Sequence, residues 1–196
     1  NGKIHKSYPT PNCFNHIIVQ TNIQGKDYYL DATNSYLPFG YLPTYSESLE
    51  ALALKEELSW YLTRSLPNGK ETIFQQLTFH NGNLERTYSI KWDALQSAEF
   101  RQKIGETGSA EMLLQMLEKP DRAEVKTNQV TNEKEHSQAL NSRISFQERD
   151  FIKGQNKLYL EPIQYKRLIE NPFSDEKRNY PVIFESLIKT QMTSIM

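Results

Sequence analysis

The chain has 196 residues, with 23 Lys plus Arg against 24 Asp plus Glu and a formal net charge of -1; this length admits one large domain or two small ones and excludes a multi-domain machine. The balanced charge excludes a global basic field that would hold nucleic acid or anionic lipid, so no nucleic-acid partner is expected. At 37% hydrophobic the chain is polar, yet 11 Tyr, 9 Phe and 2 Trp supply more aromatic mass than disordered chains carry, which marks a folded protein.

The single cysteine, Cys13, excludes an intrachain disulfide and a thiolate cluster for zinc or iron. No run approaches the roughly 18 to 20 apolar residues that a bilayer span requires, so no membrane span is expected. Asn1 opens the chain with no basic segment leading into an apolar stretch. The sequence therefore reads as a fragment, with any secretory signal of its parent already removed.

In chain order, residues 14–33 predict a β-hairpin: both arms are rich in β-branched and aromatic side chains, and Gly25 supplies the permissive backbone of the turn. Pro38, Gly40 and Pro43 break regular structure, which predicts an ordered loop over 34–48 whose aromatic residues pack down. Residues 49–62 carry two readings. Leu49, Leu52, Glu56 and Trp60 fit a helix, whereas 51–54 and 59–63 fit two short strands around Lys55-Glu56-Glu57. Leu66-Pro67-Asn68-Gly69-Lys70 is the strongest punctuation in the sequence and is taken as a domain boundary.

Beyond it, 72–79 and 84–91 alternate around His80-Asn81-Gly82-Asn83, whose Asn-Gly step predicts a tight hairpin. Residues 93–104 and 109–117 predict helices, the second with Ser109 as its cap, Leu113, Leu114 and Leu117 as its apolar stripe and Pro120 beyond its end. That stripe is expected to lie against the chain's own sheet rather than on a partner. Strand-like composition returns at 121–129, 139–146, 150–152, 158–163 and 181–184. A turn is expected at 153–156, a loop or sheet edge at 131–138, and a strand cut short at 193–196.

His16 and Asp31 sit on opposite arms of the first hairpin, within one cross-strand or diagonal step, so their side chains meet if they share a face. An imidazole with a carboxylate partner is what a catalytic cysteine or serine needs as its base. Taken alone, such a pair is more often an ordinary pair of surface residues.

Three runs add to that reading: Pro9-Thr10-Pro11-Asn12-Cys13-Phe14-Asn15-His16-Ile17-Ile18-Val19, Gly25-Lys26-Asp27-Tyr28-Tyr29-Leu30-Asp31-Ala32-Thr33 and Pro38-Phe39-Gly40-Tyr41-Leu42-Pro43. Together they resemble the second half of a bacterial transglutaminase-like, papain-like core, of the Bacteroidetes type set between a leading and a trailing β-domain (DUF3857 and DUF3858). Leu158-Tyr159-Leu160-Glu161-Pro162, Asn171-Pro172-Phe173, Arg178 and Tyr180-Pro181-Val182-Ile183-Phe184 are similar, more loosely, to the trailing domain.

The resemblance implies an α+β, mostly β chain. Residues 1–66 would be the terminal β-strands of the core, and 67–196 a β-sandwich-like domain with a helical insertion. It also favours the strand reading of 49–62. It makes His16 the triad histidine and Asp31 the triad acid of a cysteine peptidase or acyltransferase acting on a peptide or protein substrate, exported to the periplasm or cell envelope. The nucleophilic cysteine of such cores lies well upstream, at a helix N-terminus, so this chain alone is expected to be inactive. Cys13 does not replace it: three residues before His16 on one strand, it would point to the opposite face.

No cofactor is expected. His5, His80 and His136 have no i, i+4 partner and no cysteine beside them, so no metal site is expected either. The basic pairs Lys166-Arg167 and Lys177-Arg178 lie among acids and read as mixed-sign surface. The alternative from another class is a non-catalytic cell-envelope β-domain that binds a glycan or a protein partner. An incomplete core would also expose strand edges open to self-association.

Overall fold

The computed structural model describes residues 6–14, 16–46, 50–54, 57–63, 69–117, 119–120, 122–151, 165 and 189–195. Strand β1 (Val19–Ile23) pairs antiparallel with β2 (Lys26–Leu30), Val19 opposite Leu30 and Ile23 opposite Lys26. Gln24 and Gly25 join them with φ of 53° and 81°, the two positive values that a two-residue turn matching the strand twist requires. Asn22 secures the turn: its Oδ1 accepts from Gly25 N–H at 3.0 Å and its Nδ2 donates to Asp27 Oδ1 at 2.7 Å.

The first arm is shorter than its composition predicts, because Phe14 and residues 16–18 belong to no strand. Phe14 instead stacks on Trp60, with ring centroids 6.1 Å apart. Residues 11–13 form a single 3-10 turn, so the strand-face argument for the direction of Cys13 does not apply.

Strands β3 (Glu50–Ala53) and β4 (Ser59–Leu62) form a second antiparallel pair, Leu52 opposite Trp60. The strand reading of this segment is the one found, and the helical reading is overturned. The reason is tertiary: the Trp60 ring meets Phe14 and the Lys6 ammonium, 5.7 Å from its centroid, and Thr63 Oγ1 donates to Ser46 O at 2.8 Å. Such contacts outweigh fractions of a kcal/mol of local propensity.

The larger unit is a five-stranded sheet in the order β7-β8-β6-β5-β9. β5 (Lys70–His80) and β6 (Asn83–Trp92) form the predicted hairpin, turning at Asn81 and Gly82 with φ of 50° and 78°. β7 (Ala123–Thr131) and β8 (Leu140–Glu148) add antiparallel on the β6 side. β9 (Lys189–Ile195) joins β5 in parallel, a pairing that alternation by itself does not specify. Helices α1 (Ala94–Thr107) and α2 (Ser109–Met116) pack over the face carrying Ile73, Tyr88, Ile90, Trp92, Ile144 and Phe146. Met112, Leu113 and Leu117 are buried there and Leu114 packs against them, so the apolar stripe does face the chain's own sheet.

Two local expectations fail. Ser109 is the first helical residue rather than the cap; Gly108, with φ of 86°, occupies the cap position because the chain turns sharply from α1 into α2 there. Asp150 and Phe151 form a turn rather than a strand, Asp150 taking φ of 52° and donating its N–H to Asn83 Oδ1 at 3.0 Å. The strands expected at 158–163 and 181–184 and the turn at 153–156 lie outside the described residues.

Buried polar groups tie the larger unit together. Glu71 Oε1 accepts from Trp92 Nε1 at 2.8 Å and from the Tyr165 hydroxyl, while Oε2 accepts from Thr190 Oγ1 at 3.0 Å. One buried carboxylate thus connects β5 to β6 and β9. The first part of the chain is built differently. Among its described residues Leu42 is the only buried large apolar side chain, whereas Ile17, Val19, Phe39, Leu54 and Leu58 are all more than half exposed. The fold class is α+β, dominated by strands, with two short helices.

Candidate functional site

The β1–β2 ribbon closes with Val19 opposite Leu30, and His16 and Asp31 lie just beyond that end, one on each arm. His16 Nε2 lies 2.6 Å from Asp31 Oδ2. The two residues singled out from the sequence are therefore in direct hydrogen-bond contact. The Asp31 side chain is fully removed from solvent and that of His16 is 22% exposed, so the carboxylate is sealed and the imidazole still faces outward.

The other carboxylate oxygen is held by the chain itself. Asp31 Oδ1 accepts from Thr33 N–H at 2.8 Å and from Thr33 Oγ1 at 2.6 Å, an Asx turn reinforced by the hydroxyl two residues on. Burial acts to raise the Asp31 carboxyl and is the largest single influence, but the two Thr33 donors and His16 together outweigh it. The balance lies below the ordinary value of 3.8. An ionised carboxylate only accepts, so the proton of the 2.6 Å contact sits on Nε2 of His16. In the neutral ring this tautomer leaves the lone pair on Nδ1, the state required of a general base.

Tyr45, in the short 3-10 turn Thr44–Ser46, meets the imidazole in a T-shaped contact, with centroids 5.6 Å apart and planes at 85°. Its hydroxyl is 3.5 Å from Thr33 Oγ1. The turn is reached by the loop 34–43, which is pinned at its start: Asn34 Oδ1 accepts Tyr36 N–H at 2.9 Å, and the Tyr36 ring lies 5.8 Å from that of His136. The expectation that the loop aromatics pack down holds for Tyr36, whereas Phe39 and Tyr45 keep about half their surface exposed. Phe39 rests against Tyr28 with centroids 5.2 Å apart.

The exposed Cys13 thiol contacts Thr10 Oγ1 at 3.3 Å, and its hydrogen bonds to Thr10 hold it below the ordinary thiol range. His80 and His136 stand apart: His80 Nε2 is 2.9 Å from Asn81 Nδ2, and His136 packs on Tyr36. No group of three or more His, Cys, Asp or Glu side chains placed to hold a metal ion occurs among the described residues. His5 lies outside them. No described helix is long and apolar enough to cross a membrane.

Sequence reasoning assigned no role to Thr33 and Tyr45, the two side chains that surround the pair. A signal for Thr33 was present, since Asp-x-Thr at a strand end is an Asx-turn pattern. None existed for Tyr45, because contact between residues 16 and 45 depends on how the intervening loop folds back. No protein-family model matches this chain, and no curated protein or solved structure matches it.

Proposed function

We propose that the chain is the histidine- and aspartate-bearing portion of a transglutaminase-like cysteine peptidase or acyltransferase, acting on a peptide or protein substrate. The observation that carries this reading is the His16–Asp31 contact of 2.6 Å with a sealed carboxylate and an outward-facing imidazole. In the reaction, a cysteine thiolate supplied by polypeptide outside these 196 residues attacks the amide carbonyl carbon. His16 has taken that thiol's proton at Nδ1 to form the thiolate, and returns it to the leaving amine as the tetrahedral adduct collapses and its C–N bond breaks. Water, or a second amine in cross-linking, then resolves the thioester with His16 again as base. Asp31 fixes the Nε2–H tautomer and stabilises the imidazolium. Without the thiolate, the chain alone does not turn over.

By the same reading residues 1–66 complete a papain-like core and 67–196 form the trailing β-domain of an exported, cell-envelope protein. The poor burial of apolar side chains before residue 63 supports it, since exposed large apolar side chains are what the rest of such a core would cover.

The test is covalent labelling of the complete gene product by a thiol-reactive amide mimic, comparing the wild type with folded H16A and D31A. Labelling at a cysteine outside this chain that falls at least about a hundredfold in H16A supports the reading. Equal labelling in all three proteins, or none in the wild type, refutes it. The refuting result favours the second reading, a non-catalytic envelope module, for which the exposed Ile17, Phe39, Leu54 and Leu58 side chains speak as a contact surface for a protein partner.

A further inference from the structure

A histidine and an aspartate in hydrogen-bond distance form a working pair only if neither side chain rotates away. A carboxylate is free to swing about its Cβ–Cγ bond, and an imidazole has two soft torsions. Asp31 lacks the first freedom. Both donors of Thr33 converge on Oδ1 at 2.6 and 2.8 Å, which turns Oδ2 toward His16. His16 is also limited by the Tyr45 ring, which packs on it with centroids 5.6 Å apart and planes at 85°. The Tyr45 hydroxyl approaches the same Thr33 oxygen at 3.5 Å, so two elements that the sequence separates close around one contact.

We propose that Thr33 and Tyr45 are positioning residues for the His16–Asp31 pair: the Thr33 hydroxyl locks the carboxylate, and the Tyr45 ring holds the imidazole in place and keeps water from its Nε2–H. The proposal rests on the functional reading above for its purpose. Its geometry is a property of the resting chain and is tested there. The hydroxyl contributes one of the two donors on Oδ1 and the backbone N–H the other. Removing the hydroxyl therefore loosens the carboxylate without releasing it. Tyr45 contributes shape, so its ring matters more than its hydroxyl.

The experiment uses the isotope-labelled chain and reads three signals by NMR: the ring-nitrogen shifts of His16, the acid titration of the Asp31 carboxyl, and the Nε2–H proton, visible only while shielded from water. In T33V the Asp31 titration moves up in pH, the ring nitrogens lose their distinct donor and acceptor shifts, and T33S restores both. Y45A loses the Nε2–H signal, and Y45F keeps it. Unchanged shifts and titration in T33V, or an Nε2–H signal that persists in Y45A, overturn the proposal. Folding is checked by the amide shifts of β1 and β2, which carry the site, together with those of β5 and β6. In the complete gene product, T33V is expected to lower the rate constant of probe acylation about tenfold to a hundredfold at unchanged probe affinity. A wild type that does not label refutes the catalytic reading, while the NMR signals still decide whether Thr33 and Tyr45 hold the pair.

Discussion

Arg101 is a heavily engaged cation of the described structure, and its replacement gives a sharp test of how the larger unit is held. The side chain rises from α1 with 2% of its surface exposed. Its two Nη2 hydrogens are shared among the carbonyls of Asn132, Glu135 and Gln138, at 2.9, 2.9 and 2.7 Å from Nη2; Nε reaches Asn132 O at 3.2 Å and Nη1 reaches Ser97 Oγ at 2.9 Å. One guanidinium thus closes the β7–β8 connection into a ring of carbonyls. Arg101→Met removes these charge-assisted bonds, each worth about 1.5 kcal/mol or more net, and strands carbonyls that solvent reaches only in part. Relief from burying a charge returns a share of this. The net loss is about 3 kcal/mol, or roughly 6 to 12 °C in Tm for a chain of this size. Urea denaturation with far-UV circular dichroism measures it, and amide hydrogen exchange over residues 132–139 locates it. Arg101→Lys, which keeps the charge but not the fork, should lose about half as much. A change below about 1 kcal/mol in Arg101→Met with unaltered exchange would show that the loop is held by its own turns, Glu135 N–H to Asn132 O at 3.3 Å and Gln138 N–H to Glu135 O at 2.9 Å.

Burial pushes the Tyr88 hydroxyl up to about 12, with Arg86 opposing and Glu148 adding to the rise. A raised value means that the folded state holds its proton longer, so this contribution is complete below pH 10 and declines as pH rises from 10 towards 12. The decline amounts to about 2 to 3 kcal/mol. Comparing the alkaline stability curve with that of Tyr88→Phe isolates it, and parallel curves would refute it. The same variant at neutral pH should cost about 1 to 3 kcal/mol, because Gln75 Nε2, 2.8 Å from the Tyr88 hydroxyl, loses its acceptor. Gly69→Ala should cost at least about 3 kcal/mol: a Cβ there would stand 2.0 Å from the Asp93 carbonyl oxygen, backbone that cannot swing aside. Denaturation midpoints check this, and a loss under about 1 kcal/mol would contradict the close approach.

The elements legible from sequence are those whose signals are local. The β5–β6 hairpin declares itself through strict alternation around Asn81-Gly82, and the structure buries Ile73, Leu77, Leu84, Tyr88, Ile90 and Trp92 in keeping with it. Both helices and their apolar stripe were readable for the same reason. Residues 49–62 had two self-consistent patterns, and the choice between them was made by Phe14 and Lys6, which lie far away in sequence. The parallel partnership of β9 with β5 was out of reach, since Lys70 and Lys189 pair across more than half the chain. At the site, His16 and Asp31 could be related through one hairpin register, a short-range inference. Thr33 was visible but unassigned, and Tyr45 became part of the site only through the return path of a loop.

That return path has a consequence for how the site is held. Isolated two-stranded ribbons are marginal in water, and both ribbons of the first part expose large apolar side chains rather than sharing a core. The His16–Asp31 geometry therefore cannot draw its rigidity from the ribbon alone. The loop between β2 and β3 supplies an external anchor: Tyr36 packs on His136, within the connection that Arg101 closes, and its hydroxyl lies where a side chain on Gly105 of α1 would stand, 2.7 Å from such a Cβ. Further along, the same loop carries Leu42, fully buried, and ends at Tyr45 against the imidazole. The absence of a side chain at Gly105 is thus what admits the Tyr36 hydroxyl, at a helix position where alanine would otherwise be favoured by about 1 kcal/mol. The helix-backed sheet and the candidate site are joined through one aromatic loop, so the stability of the first reaches the precision of the second.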